Sequence, residues 1–296
     1  MFNLKPEVIA RLERVLSSVE MLLPRLVKPV DWATCYAANW RRHSFSGYIE
    51  PVKVTDTTTM DELLGVEEQK KVMTNNTRQF LAGLPANNAL LWGSRGTGKS
   101  SLVKALLNEF GPKGLRVIQI EKEDLIYLSE IFNAVEDKPY RFILLCDDLT
   151  FEVGELSYKM LKSALDGSVY SPPENVLIYV TSNRRHLLPE YETDHLGGKF
   201  VNGEMQQSEA QEEKVSLSDR FGLWVAFYAF SQDRYIDAVR LAIAREARER
   251  HVEIPFTPEL EIEAIKWSHE KSKRCGRTAY QFAKNHVGRY LLPSHD

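Results

Sequence analysis

The sequence predicts an α/β fold, a parallel sheet covered by helices on both faces, followed by a small helical unit. Three observations lead there. From about residue 56, short apolar runs alternate with helix-like stretches. The runs are continuously apolar rather than alternating, which is the pattern of strands buried on both sides. After Phe230 the pattern turns wholly helical.

Ahead of the sheet, residues 5 to 23 carry Val8, Ile9, Leu12, Val15, Leu16, Val19, Leu22 and Leu23 at helical spacing. Trp32, Tyr36 and Trp40 recur every four residues and read as one face of a second helix. Residues 1–55 are therefore expected to form an N-terminal helical segment, packed on the rest or offering a subunit contact. Residues 56–230 make the α/β domain. Its strands are expected at Ala89–Trp92, Leu115–Ile120, Phe142–Cys146, Val176–Val180 and Leu223–Phe230. Helices over 99–110, 123–135 and 153–166 separate the first four. His186 to Ser218 is polar and acidic, holds Gly197, Gly198 and Gly203, and has no period. It reads as a long, partly mobile loop of the kind that often carries function. Residues 231–296 make the helical unit. Ser231 or Asp233 can cap a helix to Glu249, and Thr257-Pro258 is a cap and first-turn pair for one to Glu270. A third begins after Gly276, with Ala279, Phe282, Ala283 and Val287 on one face.

Composition narrows the class. With 43% hydrophobic residues in 296, the chain can bury a proper core. A formal charge of -3 gives no reason to expect broad binding to nucleic acid or acidic lipid. Cys35, Cys146 and Cys275 are far apart and show no C-x-x-C spacing, which fits a reduced compartment. The longest apolar run, Phe221 to Phe230, is far short of the ~20 residues of a membrane span. The N-terminus lacks a basic region followed by an apolar one. The expectation is a soluble cytoplasmic protein with no membrane partner.

The chemistry is concentrated in one loop. Gly93-Ser94-Arg95-Gly96-Thr97-Gly98-Lys99-Ser100 matches the pattern G-x-x-x-x-G-K-[ST] in full, with Ser101 following. Such a loop curls so that several N–H groups point at one anion, and the helix after it adds the positive end of its dipole. Lys99 is expected to reach the terminal phosphates of a nucleotide and Ser100 to ligate Mg²⁺. A plain glycine-rich turn is the alternative, but a strand before and a helix after supply the context the motif needs.

Phe142 to Asp148 is an apolar strand ending in two carboxylates, at the end of a parallel strand where ligands bind. Asp147 suits a metal partner and Asp148 suits the orientation of a water; an Asx turn is the bland reading. Thr181-Ser182-Asn183 follows the next strand, where a polar group can sit beside a terminal phosphate and help hold that water. Arg220 stands just before the last strand and Arg277 opens the last helix. A guanidinium on a transferring phosphoryl group is worth about 10³ to 10⁵ in rate, against the alternative of a surface salt bridge.

With these residues assembled, the chain resembles an AAA+ ATPase over roughly residues 50 to 296. The match is an ordered set: Walker A at 93–100, Walker B at 142–148, sensor 1 at Asn183, an arginine finger at Arg220 and sensor 2 at Arg277. More narrowly, it is similar to a bacterial family of AAA+ ATPases described only as a domain of unknown function. Leu64-Gly-Val-Glu-Glu-Gln69, Pro85-Ala-Asn-Asn-Ala-Leu-Leu91, Ser182-Asn-Arg-Arg-His-Leu187 and Leu217-Ser-Asp-Arg-Phe-Gly222 carry that similarity. The resemblance implies a P-loop sheet of strand order 5-1-4-3-2 with a C-terminal helical lid. It implies ATP with Mg²⁺, adenine packed near Leu64 and Val66, and a homo-oligomeric ring, most often a hexamer in that superfamily. The first functional reading is an ATPase that drives conformational change on a protein or nucleoprotein client, and the resemblance does not supply that client. One departure stands out. Most members carry Glu where Asp148 stands, which shortens the reach by roughly 1.3 Å and makes slow turnover an open alternative. An ATP-dependent switch or scaffold, a DNA-associated loader and a small-molecule kinase are the competing functions. Arg184, Arg185 and His186 beside an acidic loop do not make a nucleic-acid groove.

Overall fold

The computed structural model describes residues 29–43, 46–53, 57–152, 155–167, 171–185, 187 and 217–292, together with 8, 11, 13–15, 199–201 and 204–206. Strands β1 (Ala37–His43), β2 (Ser46–Val52), β3 (Ala89–Gly93), β4 (Leu115–Ile120), β5 (Arg141–Cys146), β6 (Val176–Ser182) and β9 (Leu223–Phe227) form one sheet. Its order is β2-β1-β4-β5-β6-β3-β9. All pairings are parallel except β1 with β2. Taking β3, β4, β5, β6 and β9 as strands one to five, the order is 5-1-4-3-2, as expected. Two short strands, β7 (Lys199–Val201) and β8 (Glu204–Gln206), make a separate antiparallel ribbon. The rest of the 186–218 stretch lies almost wholly outside the described residues.

The continuous apolar runs have a direct cause. Successive side chains of a strand point to opposite faces, and here each face meets a core. On β5, Phe142, Leu144 and Cys146 enter one cluster while Ile143 and Leu145 enter the other. On β6, Val176, Ile178 and Val180 face the first, Leu177 and Tyr179 the second. Helices α1 (Glu67–Leu81) and α2 (Lys99–Phe110) cover the second face. Helices α3 (Leu128–Val135) and α4 (Leu156–Leu165) cover the first. The lid is α5 (Gln232–Glu249), α6 (Pro258–Glu270) and α7 (Gly276–Leu291), with its own core around Tyr235, Val239, Ala264 and Phe282. Both caps form, since Ser231 accepts from the Arg234 amide and Thr257 from that of Leu260.

The N-terminal expectation is corrected. Trp40 lies on strand β1, not on a helix, and Trp32 and Tyr36 precede that strand. A spacing of four fits one face of a helix, but here the three rings share no face: Trp32 and Trp40 enter the first cluster and Tyr36 packs against the second. The hairpin β1–β2 extends the sheet at its β4 edge, so residues 37–52 belong to the α/β core. Arg116 secures the connection. Its buried guanidinium donates to Trp32 O and Gly111 O and lies over the rings of Tyr36 and Tyr140. The helix expected over 5–23 falls mostly outside the described residues; Val8, Arg11 and 13–15 are helical.

Candidate functional site

At the carboxyl end of the sheet, β3 ends at Gly93, where φ is 132° and an added Cβ would stand 1.9 Å from Phe227 O of β9. Only glycine permits that approach, and it launches the loop of residues 94–98 over the strand ends. The loop runs into α2, whose first residue is Lys99. Gly96, at φ 80°, touches the lid: its carbonyl accepts from the Arg277 amide at 3.3 Å. The glycine-rich loop and the start of α7 are thus directly bonded.

Of the side chains expected at the site, those of the loop and the strand ends converge. The Lys99 ammonium donates to Gly93 O at 2.7 Å, Ser94 O at 2.9 Å and Asn183 Oδ1 at 3.1 Å. Burial lowers its pKa below 10.5, Asp148 and Asp147 pull it back up, and Arg277 and Arg95 add to the lowering. The hydroxyls of Ser100 and Thr181 both donate to Asp147 Oδ1. Asn183 also donates through Nδ2 to Asp148, so one amide bridges the lysine and the second carboxylate. Arg95 pairs with the other oxygen of Asp148 at 3.6 Å. Asp148 itself adopts a left-handed φ of 54°.

These groups line one side of a cavity of about 870 Å³. Leu63, Leu64 and Val66 form an apolar wall, and Ala238, Leu241 and Ala242 of α5 form another. Arg234 and Arg245, both on α5, hold the 57–65 segment by Gly65 O, Glu62 and Thr57. Arg277 lines the cavity from the lid. Arg220 does not; it lies before the edge strand β9 and pairs with Asp166 at the end of α4.

The residues fit a nucleoside triphosphate. The volume lies within the ~300–1,000 Å³ usual for ligand sites. One side carries the Lys99 cation and the N-terminus of α2, as phosphates require, and the far side is apolar, as a base requires. For a metal, Ser100 and Asp147 offer oxygen only, the choice of Mg²⁺, which is usually held by one or two carboxylates plus phosphates and water. Among the described residues no cluster of three or more His, Cys, Asp or Glu side chains makes a cage of its own.

Sequence reasoning missed what Thr181 does, Arg95 as the partner of Asp148, and the α5 wall. The positions 234, 238, 241 and 245 share one helical face, yet nothing in the sequence says that this face meets residues 57–66 rather than the lid's own core. Among the described residues no helix is long and apolar enough to cross a membrane.

The chain belongs to the family described as "Protein of unknown function (DUF815)", which it matches over residues 33–290. Its fold is that of AAA+ proteins. It superposes on a point mutant of RuvB from Thermotoga maritima with a TM-score of 0.53 at 14% identity, covering 79% of this chain and 66% of that one. The AAA domain of FIGL-1 in complex with ADP gives 0.51 at 15% identity, covering 81% and 77%. In sequence, the replication factor C large subunit of Nanoarchaeum equitans (strain Kin4-M) is 33% identical over 82 residues. That stretch is 27% of this chain and spans only 19% of the relative.

Proposed function

We propose that the chain is a Mg²⁺-dependent ATPase that couples nucleotide state to the arrangement of lid and subunits, acting on a protein or nucleoprotein client. The observation that carries this reading is the convergence of Lys99, Ser100, Asp147, Asp148 and Asn183 in one hydrogen-bonded network facing the cavity. The residues take distinct roles. The loop amides and Lys99 hold the phosphates and Arg277 reaches them from the lid. Ser100 and Asp147 hold Mg²⁺, which when bound neutralises phosphate charge. Asp148, steadied by Asn183, orients water. The apolar walls at Leu64 and Val66 and on α5 take the base. The ADP bound by the FIGL-1 AAA domain supports the choice of nucleotide.

Arg220 acts on a neighbouring copy in this reading, because it stands at the β9 edge and outside its own cavity. The assembly is then heterologous, and closure gives a ring, expected to have about six members. Its ion pair with Asp166 is released or redirected on assembly. A switch with little turnover is the second reading, favoured by the short Asp148 side chain and its pairing with Arg95.

Calorimetry with ATP and ADP tests the binding. Lys99→Ala is expected to lose most affinity while remaining folded, and unchanged affinity in that variant refutes the site. Asp148→Asn, nearly isosteric, is expected to bind as the parent does but to lose hydrolysis. Hydrolysis at the parent rate in Asp148→Asn assigns water orientation elsewhere. No turnover in the parent, assembled or not, leaves the switch.

A further inference from the structure

Thr181 joins the two aspartates in a way that neither the loop nor Asn183 does. The parallel ladder between β5 and β6 runs in register to Cys146 opposite Val180 and stops there. Beyond it, the chain turns out of the sheet through Asp147 and Asp148. The amide of Asp148 finds a side chain instead of a main-chain acceptor: it donates to Thr181 Oγ1 at 2.9 Å. The same hydroxyl donates its one proton to Asp147 Oδ1. The Leu149 amide then donates to Thr181 O at 2.8 Å, and Ser182 Oγ to Leu149 O at 2.8 Å. Thr181 itself is 1% exposed, at the floor of the cavity that the two aspartates face.

A hydroxyl has one proton and two lone pairs. With a lone pair taken by the Asp148 amide and the proton given to Asp147, its orientation is fixed, and the Asp147 carboxylate is fixed with it. The amide it captures belongs to a residue at φ 54°, a conformation that Asp tolerates better than most side chains. That turn swings the Asp148 carboxylate to Asn183 and Arg95 over the cavity.

We propose that Thr181 is the positioning residue of the acidic pair. Its hydroxyl holds the left-handed turn that lets the short Asp148 carboxylate reach forward, and it orients Asp147 toward the metal site. This rests on the ATPase reading for its consequence, but the hydrogen bonds themselves do not.

The test compares Thr181→Val, which keeps the shape and removes the hydroxyl, with Thr181→Ser, which keeps the hydroxyl. In the nucleotide-free protein, hydrogen exchange at the Asp148 amide should quicken about tenfold or more in the valine variant and stay near the parent rate in the serine one. Affinity for Mn²⁺ in the ADP complex, read by electron paramagnetic resonance, should fall about 10- to 100-fold with valine, as should kcat. ADP affinity without divalent cation should not change, which separates positioning from general damage. A parent that hydrolyses nothing defeats the ATPase reading alone; amide exchange and Mn²⁺ affinity still decide this one. Thr181→Val with the parent's Asp148 protection and Mn²⁺ affinity overturns the proposal, as does a serine variant no better than valine.

Discussion

A methyl group added at Gly96 probes the bond between the glycine-rich loop and the lid. The new Cβ would stand 2.7 Å from Cys275 Sγ and 3.0 Å from Arg277 Cβ, both at the start of α7. Two costs follow. Alanine at φ 80° is left-handed, at roughly 1–2 kcal/mol. Crowding of a packed contact adds roughly 1–3 kcal/mol. The first is present with and without nucleotide, so it lowers stability but not affinity. The second is relieved when α7 backs away from the loop, and that movement withdraws Arg277 from the cavity. Only this second part opposes binding, so ADP affinity in Gly96→Ala should fall roughly 5- to 150-fold. Gly114→Ala is the control: Gly114 has φ 103°, but nothing lies within 4 Å of its added Cβ. It should lose roughly 1–2 kcal/mol of stability and no affinity. Adding Cys275→Ala to Gly96→Ala removes the nearest atom and should restore part of the loss. Titration calorimetry reads the affinities and thermal unfolding the stabilities. If Gly96→Ala binds ADP within about twofold of the parent, the lid is not coupled to the loop and the expected loss has no basis.

Arg220→Ala and Lys99→Ala, each inactive alone, should regain partial ATPase activity when mixed, and specific activity should rise with concentration. A monomer of constant rate with no rescue makes Arg220 a structural arginine of its own subunit. Lys99 has a folded pKa below 10.5 because of burial. Between that folded value and 10.5 the unfolded chain binds more protons, so stability rises with pH there. Nucleotide-free parent should therefore gain stability relative to Lys99→Met as pH climbs toward 10.5. Chemical denaturation at stepped pH measures it, and a difference that stays flat rules out a buried ammonium.

Elements whose signals are local were legible in the amino acids. Runs such as Phe142–Cys146 are apolar at every position because both faces of the sheet are covered, and that burial writes itself into consecutive residues. Gly93 to Ser100 are contiguous because one loop joins β3 to α2, so the motif could be read directly, as could the caps at Ser231 and Thr257. The strand order came through the resemblance rather than through any pattern in the chain, and the bond from Lys99 to Asn183 was not foreseen at all. Everything else waited on how the elements pack. Trp32, Tyr36 and Trp40 have the spacing of a helix face, and only the hairpin with β2, where Trp40 lies opposite Ile49, makes Trp40 a strand residue. Arg116 shows nothing in sequence of its hold on Trp32 O, because its partners are main-chain carbonyls, which every residue has. Thr181 is one hydroxyl in an ordinary turn composition until β5 ends one residue short of it. Its function comes from where two strands stop relative to each other, a relation between residues 33 and 34 positions apart that no local pattern records.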